Sequence, residues 1–409
     1  MIRITSILFS SALALACGTD SAGPTTPGTT GEPPVTPGGG NMPNGGDPTP
    51  GGGPVVTVTD TVASLTAAEA ETYLGKMAPP VVGRVLGVDE RAKVTAEGGA
   101  AIGPVVSGWL ADQGFIKSAR RFIELGLQVS GTINGVDFDL PGNLVEYVVT
   151  NKRPWSEILT SETCYDAALQ PTTCDTGAPY VAGVLTTRAY LISRASRFNL
   201  TRSSALMKNF ACQAYPQDAE LQPRIVKERL IPMFQANTPE EQVDERAKSG
   251  FGNGLGCYSC HGQFSLHSQL YVKFDSAGLY IAGATGLQDP EGELGRSVGG
   301  LMASHLLDPV EASAERSNMF GQEVENLKAA AKVVATQATF APCAASRFLD
   351  FSLGVQSGSI EYDPAIFQQV VSAAQAEEPD PSLQQIVANL LTHPTVVTSV
   401  IASLTGAAQ

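Results

Sequence analysis

The sequence predicts a mainly α fold: a helical bundle-like body with one short β-hairpin and a disordered N-terminal tether. Apolar residues recur at helical spacing between start and stop signals along most of the chain. The clearest strand signal is a single two-residue hairpin, and residues 18–54 are built almost entirely of Gly, Pro, Thr and Asn. With 43% hydrophobic residues among 409, the rest of the chain has ample material for a core.

The N-terminal segment has the form of an export signal. A short positive start precedes the apolar run Ile4–Ala16, which has the length of a signal-peptide core and is too short to span a bilayer. The run ends at Ala14-Leu15-Ala16-Cys17, which resembles a bacterial lipobox, although Leu15 lies two places before Cys17 instead of three. We expect residues 1–17 to be a lipoprotein signal peptide with lipidated Cys17 at its end. Ordinary signal cleavage is the alternative.

The residues after Cys17 predict a tether and indicate where the protein is anchored. Residues 18–54 lack aromatic side chains and cannot bury enough apolar surface to offset their ordering entropy, so they are expected to form a disordered linker. Gly18, where Asp would favour retention in the inner membrane, implies an outer-membrane lipid anchor at the cell envelope. No later segment is apolar enough to cross a membrane. The remaining chain is expected to form an N-terminal helical region (55–142), a middle helical domain (143–236) and a C-terminal domain (237–409).

In the first two of these regions, local signals place the elements in order. Thr66-Ala67-Ala68-Glu69 has the form of a capping box and opens a helix to about Met77, which Pro79-Pro80 ends. Asn134-Gly135 predicts a tight hairpin, and the polar stretch Thr160–Tyr180 predicts a loop. Further helices are expected at about 89–97, 101–113, 116–127, 143–151, 183–193, 203–214 and 221–235.

The C-terminal domain is also expected to be helical. Thr238-Pro239-Glu240-Glu241 is a strong helix start, and that helix is expected to reach Ser249 before Gly250. Further helices are expected at about 298–307, 322–336, 343–351, 364–376, 382–391 and 395–403.

One motif carries chemistry. Cys257-Tyr258-Ser259-Cys260-His261 follows the c-type haem attachment pattern. Two thiols one helical turn apart can reach the two vinyl groups of one porphyrin edge, and the adjacent imidazole then lies beneath the iron. Four glycines between residues 250 and 256 would let the backbone approach a flat ring. We therefore expect one covalent haem c, bound by Cys257 and Cys260, with His261 as proximal iron ligand.

The motif has other interpretations. A zinc half-site would need a second Cys/His pair at suitable spacing, and none is present. A redox disulfide would favour a βαβ context, whereas this context is helical and rich in Gly. Export favours haem, because c-type attachment takes place outside the cytoplasm. A plain structural disulfide between Cys257 and Cys260 stays open as the alternative.

The sixth iron ligand is less determined by the sequence. Met302 and His305 share a predicted helical segment and are both candidates, with Met302 preferred. A Met ligand would raise the reduction potential, whereas a second His would lower it. A vacant, five-coordinate iron is the other possibility. The remaining candidates are His267, which is expected to point away, together with Met319 and the more remote Met233 and His393.

Four cysteines remain after lipid and haem are assigned, and in an oxidising compartment they are expected to form disulfides. Three pairings exist. Cys164–Cys174 would close the polar loop, which leaves Cys212–Cys343 as a long-range link.

Charge and composition exclude several classes of function. The net charge is −14 and no basic stripe interrupts it, so nucleic acid is a poor partner. Only four His are present, which excludes a multihaem wire. No other catalytic motif appears in a fitting context. The sequence therefore favours an electron carrier over an enzyme, with an unknown redox partner that is basic or neutral. The rivals are a haem enzyme or accessory subunit with an open iron site, and a non-haem structural lipoprotein.

Four motifs follow one another over residues 144–356, about half the chain. They are Leu144–Val148 with Arg153-Pro154-Trp155, Ala182–Thr186 with Lys208–Cys212, Cys257–His261 with Phe274–Gly278, and Phe340–Cys343 with Arg347-Phe348 and Ser352-Leu353-Gly354. Their order resembles that in a family of planctomycete and myxobacterial proteins, which link several domains of unknown function to a cytochrome-c-like CxxCH.

This resemblance supports our interpretation of the C-terminal domain (237–409) as cytochrome-c-like and implies that Cys212 and Cys343 are structural partners. It implies no substrate. The family commonly has Met-Asp-Pro soon after CxxCH, where this chain has Phe264-Ser265-Leu266-His267. No ligand role is carried over from that Met.

Overall fold

A computed structural model describes residues 58–195, 199–215, 263, 266–283, 297–298, 301–302, 315–356 and 362–405. The expected signal peptide and tether, and the helices expected at 221–235 and 238–249, lie outside these residues. The described helices are α1 Val58–Ala63, α2 Ala67–Val82, α3 Val88–Glu97, α4 Ile102–Leu110, α5 Gln113–Leu127, α6 Leu140–Thr150, α7 Glu157–Thr160, α8 Arg188–Ser193, α9 Leu200–Phe210, α10 Leu327–Ala335, α11 Phe340–Leu353, α12 Pro364–Glu377, α13 Leu383–Thr392 and α14 Pro394–Thr405. Short 3-10 turns span Gly98–Ala101 and Gln269–Tyr271.

The strands form small two-stranded antiparallel sheets, so the mainly α prediction is confirmed. The pairs are β1 Thr132–Ile133 with β2 Val136–Asp137, β3 Cys164–Tyr165 with β4 Pro171–Thr172, β5 Ser297–Val298 with β6 Leu301–Met302, and β7 Ser317–Met319 with β8 Gln322–Val324.

One hydrophobic core extends from Val62 in the first described helix to Ile401 in the last. Helices from the two ends of the chain build it together: α2 packs on α5 and α11, α4 packs on α13, and α1 packs on α14. Trp109 and Trp155 are almost completely buried in it. Burial of such large aromatic side chains contributes strongly to the stability of a core.

Helix α2 runs past the two prolines that were expected to end it. Its capping box forms as predicted, with the Thr66 amide donating to Glu69 Oε2 at 2.9 Å. The helix then includes Pro79 and Pro80 and ends at Gly83, whose positive φ of 72° forms the left-handed cap. Val81 and Val82, beyond the prolines, are both buried in the core. Their burial explains why the helix continues in spite of the proline penalty.

The turn predicted for the hairpin is confirmed, and α13 has a capping box that was not predicted from the sequence. Asn134 and Gly135 have φ values of 54° and 77° between β1 and β2, as a two-residue primed turn requires. Ser382 caps α13 in a capping box with Gln385.

Three predicted helices differ from the structure. The helix expected from 183 begins only at Arg188, because Gly183 lies against α7 with a φ of 49°, where an added Cβ would lie 2.1 Å from Ile158 O. The helix expected from 322 begins as strand β8 and becomes helical at Leu327. The helix expected over 298–307 begins as the hairpin β5–β6, and the Gly-Gly sequence between these strands favours a tight connection.

Within the described ranges, no single helix is both long and apolar enough to cross a membrane. Helices α13 and α14 reach that length only as a pair, and they are bent by 59° at their junction.

Candidate functional site

The proposed lipid and haem residues fall outside the described part of the chain. These residues are Cys17, Cys257, Cys260 and His261, and the candidates Met233 and His305 are outside it as well. Met302 is described through its backbone, in β6 opposite Ser297. It therefore lies on a strand instead of the expected helix. Met319, in β7, is fully buried, and His393 lies at the end of α13.

Part of the chain that follows the CxxCH motif is described, and its first described residues are mostly buried. We call residue 263 and residues 266–283 the post-motif segment. Its polar residues Gln263, His267, Ser268 and Gln269 each have 0% exposure. Buried polar side chains are costly unless they are hydrogen-bonded, so this run is held by specific partners instead of lying on a surface.

His267 illustrates such a partner. Its Nδ1 lies 2.5 Å from the hydroxyl oxygen of Tyr215, the last described residue before the stretch that contains the motif. Burial lowers the pKa of His267 to about 4, although a hydrogen bond with the backbone of Asn318 raises it. The imidazole is therefore neutral at pH 7. This hydrogen bond therefore links the described chain before the motif to the described chain after it.

Arg202 fixes the far end of the post-motif segment. It is fully buried on α9, and its guanidinium donates to the Phe274 carbonyl at 2.9 Å and to the Asp275 carbonyl at 2.6 Å. Further bonds reach the Leu191 carbonyl at 2.9 Å and Asn199 Oδ1 at 2.8 Å. Burial lowers the pKa of Arg202 to about 10, so it keeps its charge at pH 7. Three chain segments thus meet on one cation.

The turn at residues 275–278 packs closely on α8. Arg188 Nε donates to the Ala277 carbonyl at 2.8 Å, and its Nη1 contacts Asp175 Oδ2 at 3.0 Å. Gly278 has a φ of 73°, and a Cβ there would lie 3.0 Å from the side chain of Arg188. Only Gly fits this approach without strain.

Tyrosine hydroxyls surround the same region. Tyr190 donates to the Arg202 carbonyl at 2.6 Å, and its oxygen lies 3.4 Å from that of Tyr271. Burial raises the pKa of Tyr190 to about 12. These phenols are neutral at pH 7 and complete the polar lining around Arg202.

Glu315, the first residue of the described range 315–356, is also hydrogen-bonded to the post-motif segment. The hydroxyls of Tyr180 and Tyr280 both donate to the Glu315 carboxylate, the latter at 2.8 Å. Burial raises the pKa of Glu315, while the two hydrogen bonds oppose that shift. Tyr280 belongs to the post-motif segment, which is therefore fixed at Arg202, at Arg188 and at Glu315.

The two disulfides have the pairing expected from the sequence. Cys164 joins Cys174 and Cys212 joins Cys343, each with a Cα–Cα distance of 5.3 Å. The first closes the β3–β4 loop, and the carbonyl of Cys174 accepts the Arg188 amide at 3.3 Å. The second links the end of α9 to α11.

Sequence reasoning missed Arg202, the Tyr215–His267 contact and the Glu315 contact. A signal existed only for Arg202, which lies one helical turn before Leu206 on the apolar face of α9. Tyr215 and His267 lie 52 positions apart, and Glu315 lies 35 positions from Tyr280 and 135 from Tyr180. No local sequence pattern encodes contacts over such separations.

Comparison with known proteins adds no assignment: no family model, curated protein or solved structure matches this chain. Among the described residues, no group of three or more His, Cys, Asp or Glu side chains is arranged to hold a metal ion.

Proposed function

We propose that this protein is a c-type cytochrome-like lipoprotein, anchored at the outer membrane, that carries one covalent haem for electron transfer at the cell envelope. The observation that carries the proposal is the sequence Cys257-Tyr258-Ser259-Cys260-His261 in a chain that begins like an exported lipoprotein. Haem, when bound, supplies a one-electron couple whose potential the protein tunes through axial ligation and burial.

The donor set fits that cofactor. Two thiols at this spacing suit thioether formation, and the neighbouring imidazole suits iron. Four of the other cysteines are paired in disulfides, so they do not compete for the haem. The resemblance to the planctomycete and myxobacterial proteins supports the same proposal.

The described chain on both sides of the motif is held by specific contacts. Tyr215 and His267 bring together the described ends before and after the motif, and Arg202 holds the post-motif segment in place. We propose that this fixed setting extends to the haem, because a fixed environment lowers the reorganisation that accompanies each electron transfer and suits an electron carrier. An enzyme or accessory subunit with an open iron site is the rival within the haem class.

A pyridine haemochrome spectrum tests the proposal. The protein is produced in a periplasm with cytochrome c maturation machinery, beside a Cys257→Ala/Cys260→Ala variant. We expect a c-type spectrum in the wild type that is lost in the variant. A colourless, folded wild type would overturn the proposal and leave a structural lipoprotein with a Cys257–Cys260 disulfide.

Met302 is our proposed sixth ligand. Replacing it with His should lower the reduction potential of the bound haem, because a second imidazole stabilises ferric iron relative to a thioether. The same replacement at Met319, the other candidate methionine, which is buried in β7, tells the two methionines apart. An unchanged potential in Met302→His would exclude Met302, and rapid binding of external ligands by the wild type would favour the open-site rival.

A further inference from the structure

Two arginines from different helices converge on the C-terminal end of α5. Arg194, which follows α8, donates from Nη2 to the Gly126 carbonyl at 2.9 Å. Arg347 in α11 donates from Nη1 to the Lys208 carbonyl at 2.9 Å, and its Nη2 lies 3.8 Å from the place where a Gly126 side chain would begin. We call Arg194 and Arg347 the arginine pair.

Helix capping explains part of this arrangement. Gly126 and Lys208 lie in the last turns of α5 and α9, whose free carbonyls favour a nearby cation. Each guanidinium uses one of its five N–H donors in this way. Capping therefore leaves most donors of both side chains unexplained. One of them, Nε of Arg194, is buried and has no hydrogen-bond partner.

No described carboxylate neutralises the charges of the pair. Arg202 also lacks a carboxylate, but its guanidinium donates four hydrogen bonds, whereas Arg194 and Arg347 donate one each. Arg84, Arg91, Arg120, Arg153 and Arg188 each contact a carboxylate. Neither member of the arginine pair forms such an ion pair with any described residue, in a chain that has 40 acidic residues. Half-buried like charges that lack a carboxylate are costly, so an arrangement of this kind points to an anionic ligand.

The electrostatics agree with this geometry. Burial lowers the pKa of both arginines. The charge of Arg194 lowers the pKa of Arg347 further, while Asp350, three residues along α11, raises it. Asp350 is itself buried and accepts a hydrogen bond from Tyr362 at 3.1 Å. Around the pair, Lys208 is exposed and the Asn209 amide oxygen lies 3.4 Å from the Gly126 Cβ position.

We propose that the arginine pair binds a small oxyanion, of the chemical class of phosphate and carboxylate groups. Guanidinium forks bind such groups through paired, charge-assisted hydrogen bonds. The oxyanion can come from free phosphate in the envelope or from a propionate of the haem. The second source rests on the proposed function, whereas the first does not.

Phosphate titration tests the site. Inorganic phosphate is added to the purified protein at constant ionic strength, with chloride as the balancing anion, and binding is followed by calorimetry and by the melting temperature. We expect saturable binding that Arg347→Met weakens about tenfold or more, since charge-assisted bonds are lost. Arg347→Lys, which keeps the charge without the fork, should weaken it less. Arg188→Met is the matched control, because Arg188 also bonds a backbone carbonyl but has Asp175 as its ion partner.

The two sources of the oxyanion are separated with the Cys257→Ala/Cys260→Ala variant. Equal phosphate affinity with and without haem indicates a free-phosphate site. Binding in the haem-free variant alone indicates a propionate, and Arg347→Met should then shift the reduction potential of the haem protein. Absence of saturable binding in both forms, or unchanged affinity in Arg347→Met, overturns the proposal. If the wild type carries no haem, the proposed function fails while the titration still decides the arginine pair.

Discussion

Replacing Arg202 with Met removes four hydrogen bonds from the protein interior in one step. Met keeps much of the aliphatic volume, so the change isolates the guanidinium. The carbonyl oxygens of Leu191, Phe274 and Asp275 lose their charged donor, and so does the Asn199 side chain. Since Arg202 has 0% exposure, water does not replace it without local opening.

The expected loss of stability follows from these four bonds. An unpaired buried acceptor costs about 1–3 kcal/mol, so four of them cost roughly 4–12 kcal/mol before any relaxation. The variant also avoids burying a cation, which returns several kcal/mol. We expect the free energy of unfolding to fall by roughly 3–5 kcal/mol, as when one partner of a buried charged network is removed.

Urea unfolding measures the effect, and hydrogen exchange locates it. The denaturation midpoint of Arg202→Met should fall, and the amides of residues 274–281 should exchange faster than those of β1 and β2. Arg202→Lys should have an intermediate effect, because an ammonium has three donors and lacks the planar fork. Arg153→Met, which breaks an exposed ion pair with Glu157, should cost less than about 1 kcal/mol. A midpoint for Arg202→Met equal to that of Arg153→Met would refute the reasoning.

Three further predictions concern other parts of the structure. The His267 pKa is about 4 in the folded protein against 6.5 for the free side chain, so its contribution to stability is complete above pH 6.5 and is lost as the pH falls towards 4. That contribution is at most about 3 kcal/mol, and His267→Gln should flatten the dependence of the urea midpoint on pH in this window. Replacing both Cys212 and Cys343 by Ser should lower the free energy of unfolding by about 2–5 kcal/mol, because their disulfide closes a long loop. A melting temperature equal to that of the wild type under oxidising conditions would contradict this prediction. Gly183→Ala should destabilise the protein by more than about 1 kcal/mol, because residue 183 has a positive φ and an alanine Cβ there would meet Ile158 O. Gly177 also has a positive φ but no close neighbour, so Gly177→Ala should cost less. Thermal melts of the two variants compare these costs.

Features encoded by neighbouring residues could be predicted from the sequence. The capping box at Thr66 depends on four consecutive positions and the Asn134-Gly135 turn on two, and both form. The end of α2 could not be predicted in the same way. Pro79 carries a local signal to stop, and burial of Val81 and Val82 against distant helices outweighs it.

The candidate site depends even more on distant partners. Arg202 bonds residues 72 and 73 positions away, and Tyr215 meets His267 across 52 positions. Both contacts arise only once α9 and the post-motif segment have packed together. The disulfides were predictable because composition left four cysteines and the chain offered one polar loop to close. The lipid and haem assignments stay predictions from their sequence motifs.

The Cys212–Cys343 bond turns residues 212–343 into a covalent ring, since the two cysteines lie 131 positions apart. The CxxCH motif, Met302 and the whole post-motif segment belong to that ring. A protease that cuts the backbone anywhere between residues 213 and 342 therefore produces a nicked protein that stays in one piece, and the two fragments separate only after reduction. At the cell envelope, where we propose that this protein is anchored, proteases act in a compartment that also keeps disulfides oxidised. The ring thus lets the motif-bearing part survive a single cleavage without being shed from the rest of the molecule.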